Sequence, residues 1–194
     1  MIWEFAGPYN NPDLNQHFTQ HDSQLGEDEL QRIRDYGDAL ETTNVKLYGK
    51  FDDAMVKATG SHFPLNEETR WLYERIAARA REINAEAFRY DLTGFYENFY
   101  FLRYEAPGEH FGWHVDMDAN TGAPRKLSLT LQLSGPEEYE GGDFEVMASA
   151  HHVTAPKGRG LITAFPSYKI HRVTPVTRGV RRALVMFLAG PNFR

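Results

Sequence analysis

The residues best placed to do chemistry are two histidines and an aspartate. His114-Val115-Asp116 sets an imidazole and a carboxylate two positions apart. On an extended strand, side chains at i and i+2 point the same way, so both can reach one ion. A third ligand is offered by His171, 55 residues after Asp116 in a later candidate strand. Two imidazoles and a carboxylate on one face of iron(II) leave three positions open, enough for a chelating co-substrate and O₂. A His-x-Asp pair alone recurs by chance, and a lone histidine is more often a surface or core residue. The residues after His171 strengthen the reading. Arg181 follows it by ten positions, and the run reads as strand, turn at Arg178-Gly179, strand. Such a hairpin would return Arg181 to the metal, where its guanidinium could clamp a carboxylate. Arg182 would face the opposite way and Arg178 would sit in the turn, both as solvated charges.

Other chemistries are absent. The chain has 194 residues and no cysteine, so it has no disulfide framework, zinc knuckle or thiol nucleophile. It contains no His-Glu-x-x-His, Gly-x-Ser-x-Gly, P-loop or dinucleotide fingerprint. Lysine plus arginine minus aspartate plus glutamate is 21 − 27, a net charge of −6, which disfavours nucleic acid and anionic membranes as partners. The opening Met-Ile-Trp-Glu-Phe lacks a basic n-region followed by an apolar stretch, and no apolar run suits a membrane helix. The expectation is one cytoplasmic domain spanning 1–194, with a helical, variable part (1–93) and a β core (94–190).

Two helices are predicted early. Over 27–40, Leu30, Ile33, Gly37 and Leu40 recur at helical steps behind Glu27 and Asp28. From about 67 to 87, Leu72, Ile76, Ala80, Ile83 and Ala87 form an apolar face, with Asn66 as N-cap. After residue 94, short strands are predicted at 96–105, 127–134, 143–148, 150–155, 160–165, 170–176 and 182–188, separated by Gly/Pro turns. This mainly β, α+β pattern suggests a sandwich or barrel with helices covering one sheet. Leu127 to Leu133 alternates without a fault: leucines face one way, and Ser128, Thr130 and Gln132 the other. The polar face meets either solvent or a cavity.

From residue 96 to 190 the sequence resembles the 2-oxoglutarate- and Fe(II)-dependent oxygenases, in the prolyl 4-hydroxylase-like branch that includes the PKHD-type hydroxylases. Six ordered segments carry the likeness: Leu102-Arg103-Tyr104 with Pro107-Gly108; Trp113-His114-Val115-Asp116; Lys126 to Leu133; Tyr139 to Phe144; Phe165-Pro166-Ser167; and His171 to Leu184. Leu25 to Leu30 also looks like the family's opening helix.

The resemblance implies a double-stranded β-helix, a distorted jelly roll, with the N-terminal helices packed on the larger sheet. It places iron on His114, Asp116 and His171, and the distal carboxylate of 2-oxoglutarate on Arg181. Tyr104 matches a tyrosine that hydrogen-bonds the co-substrate. Gln132 stands where relatives often carry tyrosine, and Phe187 where many carry tryptophan, a packing change only. Some collagen-type relatives use lysine in place of Arg181. Ser128, Thr130 and Gln132 would line the pocket, and Gly141-Gly142 would turn near its rim. O₂ is the further co-substrate and ascorbate a reductant. The implied substrate is a small molecule or peptide, with proline first. Two other classes stay in view: a non-catalytic jelly-roll binding or sensor module, and a base-repair oxygenase, which the acidic balance opposes. His110 and Asp118 are assigned supporting or solvent roles, Trp113 packing beside the pocket, and His151 and His152 an exposed edge. His17, His21 and His62 are assigned nothing. Substrate choice is expected to lie with the loop 117–126 and parts of the first 65 residues.

Overall fold

The structure is a computed structural model, describing residues 17–45, 52–117 and 124–191. Asp118 and positions 118–123 of the expected substrate loop lie outside the described residues. Strand β1 (Thr19–Asp22) precedes helix α1 (Glu27–Ala39), then β2 (Thr43–Asn44), β3 (Val56–Lys57) and β4 (Thr59–Phe63). Helix α2 (Arg70–Ile83) runs on into one wider turn, Asn84–Phe88. Strands β5 (Gly94–Phe95), β6 (Phe99–Glu105), β7 (His110–His114), β8 (Arg125–Gln132), β9 (Tyr139–Gly141) and β10 (Phe144–Ala148) follow. The last four are β11 (His151–Thr154), β12 (Leu161–Pro166), β13 (His171–Val173) and β14 (Val176–Ala189).

Local chemistry accounts for both helix starts. Glu27, Asp28 and Glu29 occupy the first turn of α1, and the Glu29 carboxylate accepts the Gly26 N–H at 2.9 Å. Asn66 caps a lead-in turn, not α2 itself: its side-chain oxygen accepts from Glu68 N and Thr69 N at 3.0 and 3.1 Å. That is why α2 begins at Arg70 and not near 67. The wider turn closes at Arg89, with φ of 55°.

Among the described residues, the strands form two antiparallel sheets. The larger runs β1-β12-β8-β14-β6-β4-β2, with β5 and β9 also paired to β14; the smaller runs β11-β10-β13-β7-β3. Two cores follow. Leu30 and Ile33 of α1 and Leu72, Ile76, Ala80 and Ile83 of α2 pack against Leu127, Leu129, Leu131, Leu184, Met186 and other residues on the outer face of the larger sheet. Val56, Leu102, Tyr104, Phe144, Val146, Phe165, Val173 and Val176 pack between the sheets. The fold is the double-stranded β-helix, with the helices on the larger sheet. The alternation in β8 fixes its register. A slip of one residue would turn its three leucines, each worth about 1.5–3 kcal/mol when buried, away from the helices.

Two expectations need correction. The first part of the chain is not only helical: β1 pairs β12 at the edge of the larger sheet, and β3 pairs β7 in the smaller. The expected hairpin at Arg178-Gly179 is absent, because β14 is continuous from Val176 to Ala189. Gly179, with φ of 72°, sits in an irregular stretch where β14 pairs β9, and Val180 continues directly into pairing with β6. The chain changes sheets earlier, at Thr174-Pro175. No helix among the described residues is long and apolar enough to cross a membrane.

Candidate active site

The sheet register brings His114 and His171 face to face, since β13 and β7 pair with these two residues opposite each other. Each ring is fixed by a backbone carbonyl two residues before it. His114 Nδ1 bonds the Gly112 carbonyl at 2.8 Å, and His171 Nδ1 bonds the Lys169 carbonyl at 2.9 Å. A carbonyl can only accept, so Nδ1 carries the proton in both rings and a neutral ring keeps its lone pair on Nε2. Phe111 stacks on His114 at 3.7 Å, which fixes the plane of that imidazole.

Asp116 lies two residues past the end of β7. Its Oδ1 is 3.7 Å from His114 Nε2 and its Oδ2 is 3.6 Å from His171 Nε2. One ligand atom from each of the three residues falls within 4.8 Å of the others. Burial, and then the neighbouring His171, lower the His114 pKa to about 4, so the ring is an unprotonated base at neutral pH. Two imidazole nitrogens and a carboxylate facing one point form a donor set that fits a divalent iron.

The three residues open into a cavity of about 490 Å³ between the sheets. Arg181 and Tyr104, paired across β14 and β6, line the same cavity. Arg181 is 3% exposed, and its guanidinium carbon lies 5.3 Å from the centre of the Tyr104 ring. Among the described residues, no carboxylate forms an ion pair with it. Burial pushes the Tyr104 phenol up to about 12, so it stays protonated. Gly142, with φ of 59°, lets the β9–β10 turn approach Arg181; a Cβ there would meet the arginine Cδ at 3.1 Å. Thr130 also lines the cavity.

Other assignments shift. Ser128 does not reach the cavity: it is fully buried, and its hydroxyl is 2.9 Å from that of Ser167. Gln132 faces a small recess on another side of Arg181, where its amide donates to Tyr139 Oη at 3.1 Å and Ser134 O at 3.2 Å. Arg182 is not a solvated charge, since its Nε lies 2.8 Å from both carboxylate oxygens of Asp38 on α1. Arg178 is exposed and pairs with Glu140 on β9. Phe187 is more than packing, because it lines the cavity beneath the Arg125 guanidinium. His62 lines it as well, edge-on to Tyr100 at 4.8 Å. Trp113 faces away and stacks with Arg172, while His151 and His152 lie on the edge strand β11. His110 bonds the carbonyls of Gly108 and Ala54.

Sequence reasoning assigned no individual role to Glu97, Arg125, Tyr100 or His62, which line this cavity, although Arg125 falls in the loop 117–126 expected to choose the substrate. Only the pairing of β4 with β6 places His62 opposite Tyr100, and no local motif announces that pairing.

Comparison with known proteins points the same way. Residues 99–189 match the profile of the 2OG-Fe(II) oxygenase superfamily. The chain is 37% identical over 95 residues to a PKHD-type hydroxylase of Nitrosomonas europaea, across 46% of this chain and 42% of that protein. It is 42% identical over 95 residues to a PKHD-type hydroxylase of Klebsiella pneumoniae, across 45% and 41%. These matches therefore span less than half the length of the relatives. In fold it resembles a Pseudomonas putida prolyl-4-hydroxylase, with TM-score 0.71, 19% identity and coverage of 93% of this chain and 97% of that one. It also resembles a Trichoplax adhaerens prolyl hydroxylase in complex with a hypoxia inducible factor peptide fragment, with TM-score 0.76, 15% identity and coverage of 92% and 86%.

Proposed function

We propose, from the match of residues 99–189 to the 2OG-Fe(II) oxygenase superfamily and from the site that those residues form, that the protein is an iron(II)- and 2-oxoglutarate-dependent dioxygenase. It hydroxylates an unactivated C–H of an amino acid, free or within a peptide, and proline is the first candidate. The observation that carries this reading is Arg181. Among the described residues Arg181 has no carboxylate ion pair, a costly state for a buried guanidinium, and it shares one cavity with a set of ligands suited to iron. A dicarboxylate that chelates the metal at one end and meets Arg181 at the other answers both needs.

His114, Asp116 and His171 would hold the iron. Iron and 2-oxoglutarate, when bound, supply the oxidative chemistry: O₂ and 2-oxoglutarate are consumed, succinate and CO₂ leave, and a C–H becomes C–OH. The chain's own residues do the rest. Arg181 orients the distal carboxylate through a charge-assisted pair, Tyr104 offers a neutral hydroxyl beside it, and Thr130 adds a polar wall. Val45, Leu102, Phe165, Val173 and Val185 line the cavity with apolar surface and limit water.

A peptide or amino-acid substrate agrees with the Trichoplax adhaerens neighbour, which holds a peptide. The net charge of −6 disfavours a polyanion. We further read the chain as a single catalytic domain acting in the cytoplasm. The test is a mass-spectrometric screen of free amino acids and proline-containing peptides with Fe(II), 2-oxoglutarate and O₂. A product heavier by one oxygen atom, formed together with succinate, is the expected result. Turnover stimulated by single-stranded DNA or RNA and by no peptide or amino acid would overturn the substrate class.

A further inference from the structure

The two histidines are fixed by strand register and by their ring hydrogen bonds, and Asp116 has neither. Residues 115–117 lie beyond β7, and the aspartate carboxylate goes where its backbone puts it. That backbone is tethered on two sides. Asp116 N and Met117 N both donate to the Ser167 carbonyl, at 3.0 and 3.1 Å. Arg125 Nη1 donates to the Asp116 carbonyl at 3.1 Å.

Arg125 is itself held in every direction that matters for aim. Glu97 takes its Nε at 2.7 Å and its Nη2 in a bidentate pair. Its guanidinium carbon lies 3.8 Å from the centre of the Phe187 ring. The bidentate edge sets rotation within the plane, and the stacked ring sets the plane. The pair contributes little as a salt bridge: the side chains of Arg125 and Glu97 are 18% and 32% exposed, and pairs open to solvent are worth at most about 1 kcal/mol. Its consequence is geometric, and it runs from the cavity wall to the peptide of a metal ligand.

We infer that Arg125, locked by Glu97 and Phe187, is a positioning residue for Asp116, setting where that carboxylate meets the metal. The inference rests on the reading of His114, Asp116 and His171 as the metal site. Lysine could not replace this arginine, because a single ammonium cannot hold Glu97 bidentately and still reach the Asp116 carbonyl.

The experiment titrates Co(II) into the metal-free full chain, reading affinity by calorimetry and coordination by the visible Co(II) spectrum. Arg125→Met and Arg125→Lys should each weaken binding on the order of 10–100-fold, the usual range for residues that support metal ligands, and should alter the spectrum. Glu97→Gln, which keeps shape at a partly exposed position, should do so to a smaller extent. Arg178→Met, which breaks only the exposed pair with Glu140, should change neither. Thermal unfolding of each metal-free variant separates misfolding from mispositioning, and Glu97→Gln carries the test if Arg125→Met does not fold. If the wild-type chain takes up no Co(II), the metal site itself is wrong. If it binds, and Arg125→Lys and Glu97→Gln bind with wild-type affinity and spectrum, the positioning role is refuted.

Discussion

His114 is kept unprotonated by burial, and the same burial makes it acid-sensitive. Its pKa is near 6.5 in an unfolded chain and about 4 in the folded one. Between those values the unfolded state binds more protons, so the His114 contribution to stability is intact above pH 6.5 and is lost as pH falls toward 4. The size is on the order of 3 kcal/mol at most. Denaturant titration of the metal-free chain at pH 7.5 and 4.5 should show the wild type losing more stability than His114→Gln; equal losses would mean that His114 does not carry this sensitivity. The adjacent arginines on β14 divide their work by face. Arg181→Met deletes the buried charge and should weaken 2-oxoglutarate binding about tenfold or more, as expected for a charge-assisted pair of roughly 1.5–3 kcal/mol. Arg182→Met should leave that affinity alone and lower stability slightly through loss of the Asp38 pair. Similar co-substrate affinities in the two variants would contradict the assignment. This facing was legible in sequence because the two residues are adjacent on a strand; the Asp38 partner was not, because it comes from a helix 144 residues away.

Among the elements, β8 was readable because its alternation runs unbroken and its leucines meet both helices. The polar face was readable only in part. Thr130, at the middle of the strand, lines the cavity, while Ser128 and Gln132 on either side of it are satisfied by Ser167 and Tyr139. Alternation gives the face of a residue but not its hydrogen-bond partner. The short strands β1 to β4 left no mark for a related reason: two to five residues carry too little periodicity, and their partners are distant in sequence. Gly179 reads as a turn in sequence yet sits within a strand, since a bulge and a hairpin ask for the same backbone freedom. The turn at Gly142 belongs to the site. Gly142→Ala places a methyl against the Arg181 stem at a positive φ, so isothermal titration should show 2-oxoglutarate binding weakened severalfold with metal binding unchanged. Unaltered co-substrate affinity would remove this turn from the binding end.

Across the whole molecule, one sheet serves two cores. The outer face of the larger sheet is sealed by α1 and α2, and the inner face forms one wall of the cavity. Stability and site are thereby separable. Leu131→Ala, at a fully buried position under the helices, should cost about 2–5 kcal/mol in denaturant unfolding and leave 2-oxoglutarate affinity unchanged below the transition. A large loss of affinity in the folded variant would show that the two faces are coupled. The general architecture could be read from the spacing of short strands after residue 94, whereas His62 and Tyr100 come together in the cavity wall only once β4 and β6 pair.

The central claim is that His114, Asp116 and His171 hold a metal to which 2-oxoglutarate binds with its far end on Arg181. The most direct test is calorimetric titration of 2-oxoglutarate, without O₂, into the wild-type chain, Asp116→Ala and Arg181→Met, each with and without Fe(II). Tight binding is expected only by the wild type with iron, with binding abolished in Asp116→Ala and strongly weakened in Arg181→Met. Equal binding with and without iron, or wild-type affinity in either variant, would contradict the claim.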